Sequence, residues 1–101
     1  MSQETYLENQ SANITTQTTT LVASGRTLLH SIIINKPLAN GTITIYDGLT
    51  AGGVKLATIT KPGTLLSDVT NAIMYDIVCS IGLCVVTGGA NQDITVTFKK
   101  P

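Results

Sequence analysis

Charge is what this sequence has least of. Asp, Glu, Lys and Arg make up 12% of its 101 residues, and the formal net charge is zero. A typical soluble domain carries about 25%. No basic cluster is present to neutralise phosphates, so nucleic acid is a poor partner. Trp is absent, and the aromatic residues are Tyr6, Tyr46, Tyr75 and Phe98, which leaves little with which to stack a sugar or a base. There is one histidine, His30, and there are two cysteines, Cys79 and Cys84. A tetrahedral zinc site would need ligands beyond these three. No metal or cofactor is expected. No apolar run approaches the ~18 residues of a membrane-spanning helix. The first eleven residues are polar and carry Glu4 and Glu8, where a secretory signal would show basic residues followed by an apolar stretch. Synthesis in a cytoplasm, away from membranes, is the expectation.

β-branched residues fill the space that charge leaves. Thr, Ile and Val account for 35 of the 101 residues. They are stiff at χ1 and suit a pleated surface. Low charge at zero net charge also points to poor solubility alone and to life in an assembly.

Period-2 alternation places the strands. Residues 1–11 lack it and read as an extended arm, leaving 12–101 as a single domain. "ANITTQTTTLVA" (12–23) reads as one Thr-rich strand at a sheet edge. "RTLLHSIIIN" (26–35) reads as a central strand, with Leu29, Ser31 and Ile33 on one face and Leu28, His30, Ile32 and Ile34 on the other. "TITIYD" (42–47), "VKLATITK" (54–61), "AIMYDIVC" (72–79), "LCVVT" (83–87) and "DITVTFK" (93–99) follow. In the second of these, Val54, Leu56 and Thr58 oppose Lys55, Ala57 and Ile59. Pro37, and Pro62 with Gly63, interrupt the series. Short strands at this spacing, with turn signals between them, predict an all-β fold. The expected architecture is an antiparallel sandwich of about seven to eight strands, jelly-roll or immunoglobulin-like.

Four features invite a chemical reading. "DGLTAGG" (47–53) is glycine-rich, but no Gly-Lys-Ser/Thr follows it and no helix follows either, so a phosphate cradle is disfavoured. A hairpin turn whose glycines take positive φ is the better reading. Cys79 and Cys84 flank "SIGL", read as a tight turn. They could face each other across a hairpin and bridge, or remain free thiols that pack as small apolar residues. His30 lies among Leu and Ile and reads as a packed histidine with one hydrogen bond. The acids Asp47, Asp68, Asp76 and Asp93 mostly sit at strand ends or turns, where Asp bonds its own backbone. No nucleophile–base pair or carboxylate pair emerges, and an enzyme is not expected.

"GTITIYDGLTAGGVKLATI" (41–59) and "IGLCVVTGGANQDITVTFK" (81–99) together resemble a pattern in small structural proteins of tailed bacteriophages. There a strand ending Ile-Tyr-Asp turns through small residues into a strand like Thr-Lys-Ile-Ala-Thr-Ile. A later Gly-Leu-x-Val-x-Thr-x-Gly segment leads into the last strand. The likeness covers roughly residues 40–100, and it departs from the pattern at Cys79 and Cys84. It implies a virion component made in a bacterial cytoplasm and placed on the capsid surface. It implies a non-enzymatic decoration (cement) protein that clamps neighbouring major capsid subunits and assembles as a homo-oligomer, with a trimer favoured. The alternative is a tail, neck or fibre module that binds a receptor or glycan. Partner contacts are expected from the polar arm, at Gln3, Glu4, Tyr6, Glu8 and Asn9, and from the turn, at Gly48, Leu49 and Thr50.

Overall fold

The structure is a computed structural model, and it describes residues 9–36, 40–60 and 71–100. Eight strands are present: β1 (Gln10–Ile14), β2 (Thr19–Ser24), β3 (Thr27–Lys36), β4 (Thr42–Asp47), β5 (Val54–Thr60), β6 (Asn71–Cys79), β7 (Gly82–Gly88) and β8 (Asp93–Lys99). They form two four-stranded sheets, ordered β1-β8-β3-β6 and β2-β7-β4-β5, and every pairing is antiparallel. The protein is an all-β, two-sheet sandwich-like domain.

Between the sheets lies an aliphatic core. Leu29, Ile32 and Ile34 of β3 and Ile94, Val96 and Phe98 of β8 face Ile43 and Ile45 of β4 and Leu83 and Val85 of β7. Most of these side chains are excluded from water, and each full burial of this kind contributes about 1.5–3 kcal/mol. Where a strand keeps strict alternation, its inward residues are those expected. β4 and β8 follow their patterns and have the predicted bounds.

Elsewhere the register shifts. In β3 the expected faces do not hold. Leu29 points into the core, but so do Ile32 and Ile34, while Ser31 lies on the outer face, where its hydroxyl bonds that of Thr97. The change of parity comes from a bulge at His30. Leu29 pairs with Phe98 and Ser31 with Thr97, so two steps in β3 meet one in β8. On the other flank Leu29 pairs with Ile77 and Ser31 with Met74, so β6 carries an extra residue of its own. Asp76 is in this second bulge with φ 51°, a left-handed conformation that Asp tolerates better than most residues. β5 shifts likewise between its pairings with Ile45 and Tyr46, and Leu56, Ala57 and Ile59 pack on the core.

Two connections differ from expectation. The segment 12–23 is not one strand. It is β1 and β2, in different sheets, separated at Thr15–Thr18. Thr87 anchors this corner, its Oγ1 donating to the carbonyl of Thr16 at 2.6 Å and accepting the N–H of Thr18 at 3.1 Å. The predicted arm 1–11 is also contradicted at its end, because Gln10 and Ser11 pair with Phe98 and Thr97 in β1, and residues 1–8 lie outside the described residues. The second difference lies between β6 and β7. These are not a hairpin, since β6 belongs to one sheet and β7 to the other. Of the predicted loop 62–71, Asn71 is instead the first residue of β6, and the rest, like the chain break at Pro37, lies outside the described residues.

Candidate interaction surface

Three connections meet at one end of the sandwich: β2–β3, β4–β5 and β6–β7. Asp47, the last residue of β4, binds them together. Its carboxylate accepts the backbone N–H groups of Ser80 at 3.0 Å, Ile81 at 2.9 Å and Gly82 at 3.3 Å. The Ile81 bond is the largest influence on this carboxyl and holds it below its ordinary pKa against a smaller opposing effect of burial. Asp47 therefore bonds another connection's backbone and not its own, as sequence had suggested. The Gly48 N–H donates to Gly82 O at 3.0 Å, and the Gly25 N–H donates to Ile81 O at 2.8 Å. Lys100 Nζ closes the ring by donating to the carbonyls of Ser24 and Arg26 and to Thr27 Oγ1.

The glycine-rich stretch is the β4–β5 hairpin turn, and strand β5 follows it, not a helix. Its glycines serve a purpose other than the expected one. Among the described residues the positive-φ glycines are Gly25 and Gly89. Within the turn, Gly48 and Gly53 let two backbones touch: a Cβ on Gly53 would lie 2.5 Å from Asp47 O, and one on Gly48 would lie 2.8 Å from the Cα of Gly53.

This tight scaffold lifts aliphatic side chains into solvent. Leu49 is 52% exposed, Ile81 56% and Val54 66%. They surround Asp47. Val54 pairs with it, Ile81 bonds to it, and Leu49 lies against Gly82. A rigid backbone with exposed aliphatics is the chemistry of a protein contact, because desolvating such groups is favourable and little order is lost. Of the turn residues named from sequence, Leu49 and Thr50 are exposed here, whereas Gly48 is buried and acts as a spacer. Asn9 is exposed and precedes Gln10, which pairs with Phe98 near the end of β8, so it belongs to the same end. Gln3, Glu4, Tyr6 and Glu8 lie outside the described residues. Sequence reasoning missed Val54 and Ile81, which read as ordinary strand and turn residues. Only the crossing of the chain from β6 to β7 in the other sheet brings Ile81 to the end where Leu49 stands.

No protein-family model, curated protein or solved structure matches the chain.

The remaining candidates have other settings. Cys79 and Cys84 are free and fully buried. They lie on opposite faces: Cys79 belongs to the core, while Cys84 pairs with Tyr46 and Leu21 on the outer side of its sheet. Burial, and secondarily the Asp47 charge, push the Cys79 thiol up to about 11, and burial also raises Cys84. Neither is therefore a nucleophile at neutral pH. His30 Nδ1 lies 2.7 Å from Asp76 Oδ1, which joins the two stacked bulges on the outer face. Asp93 accepts the side-chain amides of Asn13 and Asn35. Asp68 is outside the described residues. Among the described residues no group of three or more His, Cys, Asp or Glu side chains could hold a metal.

Proposed function

We propose that this protein is a non-enzymatic virion structural protein, a capsid decoration protein that binds the outer shell and clamps neighbouring major capsid subunits. The strand orders β1-β8-β3-β6 and β2-β7-β4-β5 support reading the sandwich as a jelly roll, an eight-stranded, two-sheet fold used in capsid proteins. A fold alone does not carry a role. The observation that carries this one is the end of the sandwich at which Asp47 cross-ties the connections and Leu49, Val54 and Ile81 stand in solvent. This is a preorganised contact surface and not a reaction centre. Edge strands β1, β2, β5 and β6 can extend a partner's sheet. Association into trimers would repeat the contact, and binding only the assembled shell would stabilise it by mass action.

The test is the copy number in gradient-purified particles, by quantitative mass spectrometry against the major capsid protein. Abundance comparable to that of the capsid subunit is the expected result. A small fraction of it would favour the tail, neck or fibre reading, and absence from particles would overturn the virion reading. Shells lacking the protein should lose resistance to heat, and unchanged resistance would refute cementing. Deleting residues 2–8 should weaken shell binding and leave the thermal transition nearly where it was.

A further inference from the structure

The chain's formal charge is zero, but its charge is not evenly spread over the described residues. Arg26 lies in the β2–β3 turn, Lys99 and Lys100 end and follow β8, and Lys55 is the second residue of β5. All four belong to the end that carries Leu49, Val54 and Ile81, while the fifth described cation, Lys36, pairs with Asp93 at the opposite end. The contacts show this. Lys100 binds the Ser24 and Arg26 carbonyls, and between those residues Gly25 bonds Ile81. Lys55 pairs with Tyr46 beside Asp47 and adjoins Val54. Lys99 pairs with Leu28 at the start of β3. Among the described residues Asp47 is the acid at this end, and its oxygens already accept three N–H groups. The other described acids lie elsewhere, Asp76 in the bulge with His30 and Asp93 at the opposite end of β8.

We infer that this end docks on an acidic patch of another protein, with Leu49, Val54 and Ile81 at the centre of the contact and Lys55 and Lys99 at its rim. The inference rests on the shell-binding reading to the extent that the acidic patch belongs to a capsid subunit. An aliphatic centre ringed by charge of one sign is complementary to an apolar spot ringed by the other. The rim charges steer encounter and fix orientation, and the centre supplies the desolvation that holds the complex. The cations stand on turns and strand ends tied by backbone hydrogen bonds, so the backbone that carries them is set before binding.

The experiment uses the full chain, fluorescently labelled, and two variants: Lys55→Glu with Lys99→Glu, and Leu49→Ser. Thermal transitions first establish that each variant is folded. Binding is then measured to shells purified without this protein, to poly-glutamate resin, and to vesicles of equimolar phosphatidylcholine and phosphatidylserine, at low and high salt. Wild type should bind shells, with affinity falling as salt rises. The charge variant should bind at least about tenfold more weakly, and Leu49→Ser should weaken binding with its salt dependence retained. If the charge variant binds shells as wild type does, the docking inference is overturned while the shell reading stands. If wild type ignores shells yet binds poly-glutamate in a manner the charge variant loses, the shell reading fails and the acidic-protein inference holds. Binding to vesicles in preference to both would overturn it in favour of a lipid surface, and binding to none of the three would overturn it outright.

Discussion

Asp47 and Ile81 lie in different connections, and the carboxylate of the first accepts the backbone N–H of the second at 2.9 Å. This bond and its neighbours fasten the β4–β5 hairpin to the crossover that carries the chain from one sheet to the other. Asp47→Asn keeps the shape and removes the charge, so it should cost about 1 kcal/mol, less than is usual for hydrogen bonds to a charged acceptor because these bonds are partly open to solvent. The penalty should depend on pH. The carboxyl's pKa in the folded protein lies below the ordinary 3.8, so its contribution is full above that value and is lost as pH falls through the lower, folded one. Urea unfolding of wild type and Asp47→Asn should therefore differ at pH 7 and converge in strong acid. A difference that persists undiminished would mean that the substitution acts through packing.

Cys79 and Cys84 supply a second test. Both are buried and free, Cys79 in the core and Cys84 on the outer side of the other sheet. A thiol-specific reagent should label neither in the native state at neutral pH and both after denaturation. Cys79 is held neutral up to about 11, against an ordinary 9.0. An acid whose pKa is raised by folding stabilises fully below the unfolded value and loses that contribution as pH climbs through the folded one. Stability should thus fall between pH 9 and about 11, and Cys79→Ala should lessen that fall while lowering stability at neutral pH through the small cavity it leaves. Rapid native labelling, or a disulfide under mild oxidation, would contradict this placement.

These results also show which parts of the fold alternation could reveal. β4 and β8 carry no extra residue of their own, since the shifts against their neighbours add residues to β5 and β3, and period 2 alone located their bounds and inward faces. β3 defeated it because a bulge adds a residue without changing composition. His30 is no more a bulge residue by type than its neighbours, and the parity of Ser31 to Ile34 reverses after it. The corner at Thr15–Thr18 was hidden for a similar reason. Thr suits both strand and bend, so only the partner Thr87, some seventy residues away, marks the break. Leu49 and Thr50 were legible as exposed turn residues. Their neighbours Ile81, Arg26 and Lys100 were not, because sequence spacing says nothing about which connections meet when strands alternate between sheets.

Thr87 is accordingly a sensitive position. It is buried, and its hydroxyl both donates to Thr16 O and accepts from Thr18 N–H. Thr87→Val preserves volume and leaves the Thr16 carbonyl without its donor, while the Thr18 N–H keeps the Thr87 carbonyl as acceptor, so a loss of about 1–3 kcal/mol is expected. Thr87→Ser keeps the hydroxyl and should recover most of it. Chemical denaturation of the two variants decides the matter, and equal losses would show that the methyl group, not the hydroxyl, sustains the corner.

Two glycines should separate backbone need from mere composition. Gly89 adopts φ +77°, and a Cβ there would lie 1.9 Å from the carbonyl oxygen of Asn40. Gly52 has no such φ, and its Cβ would meet only Thr50 Oγ1 at 3.4 Å, the end of a side chain that can yield. Gly89→Ala must leave the left-handed region or push the β3–β4 connection away, and strain of this kind costs about 1–3 kcal/mol. Gly52→Ala reduces the freedom of the unfolded chain without a comparable clash, so its effect should be within about 1 kcal/mol of zero. Thermal unfolding of the two variants measures the contrast. If Gly52→Ala proves the more damaging, the hairpin turn is under a constraint that these backbone distances do not express, and the shape of the docking end would have to be redrawn around it.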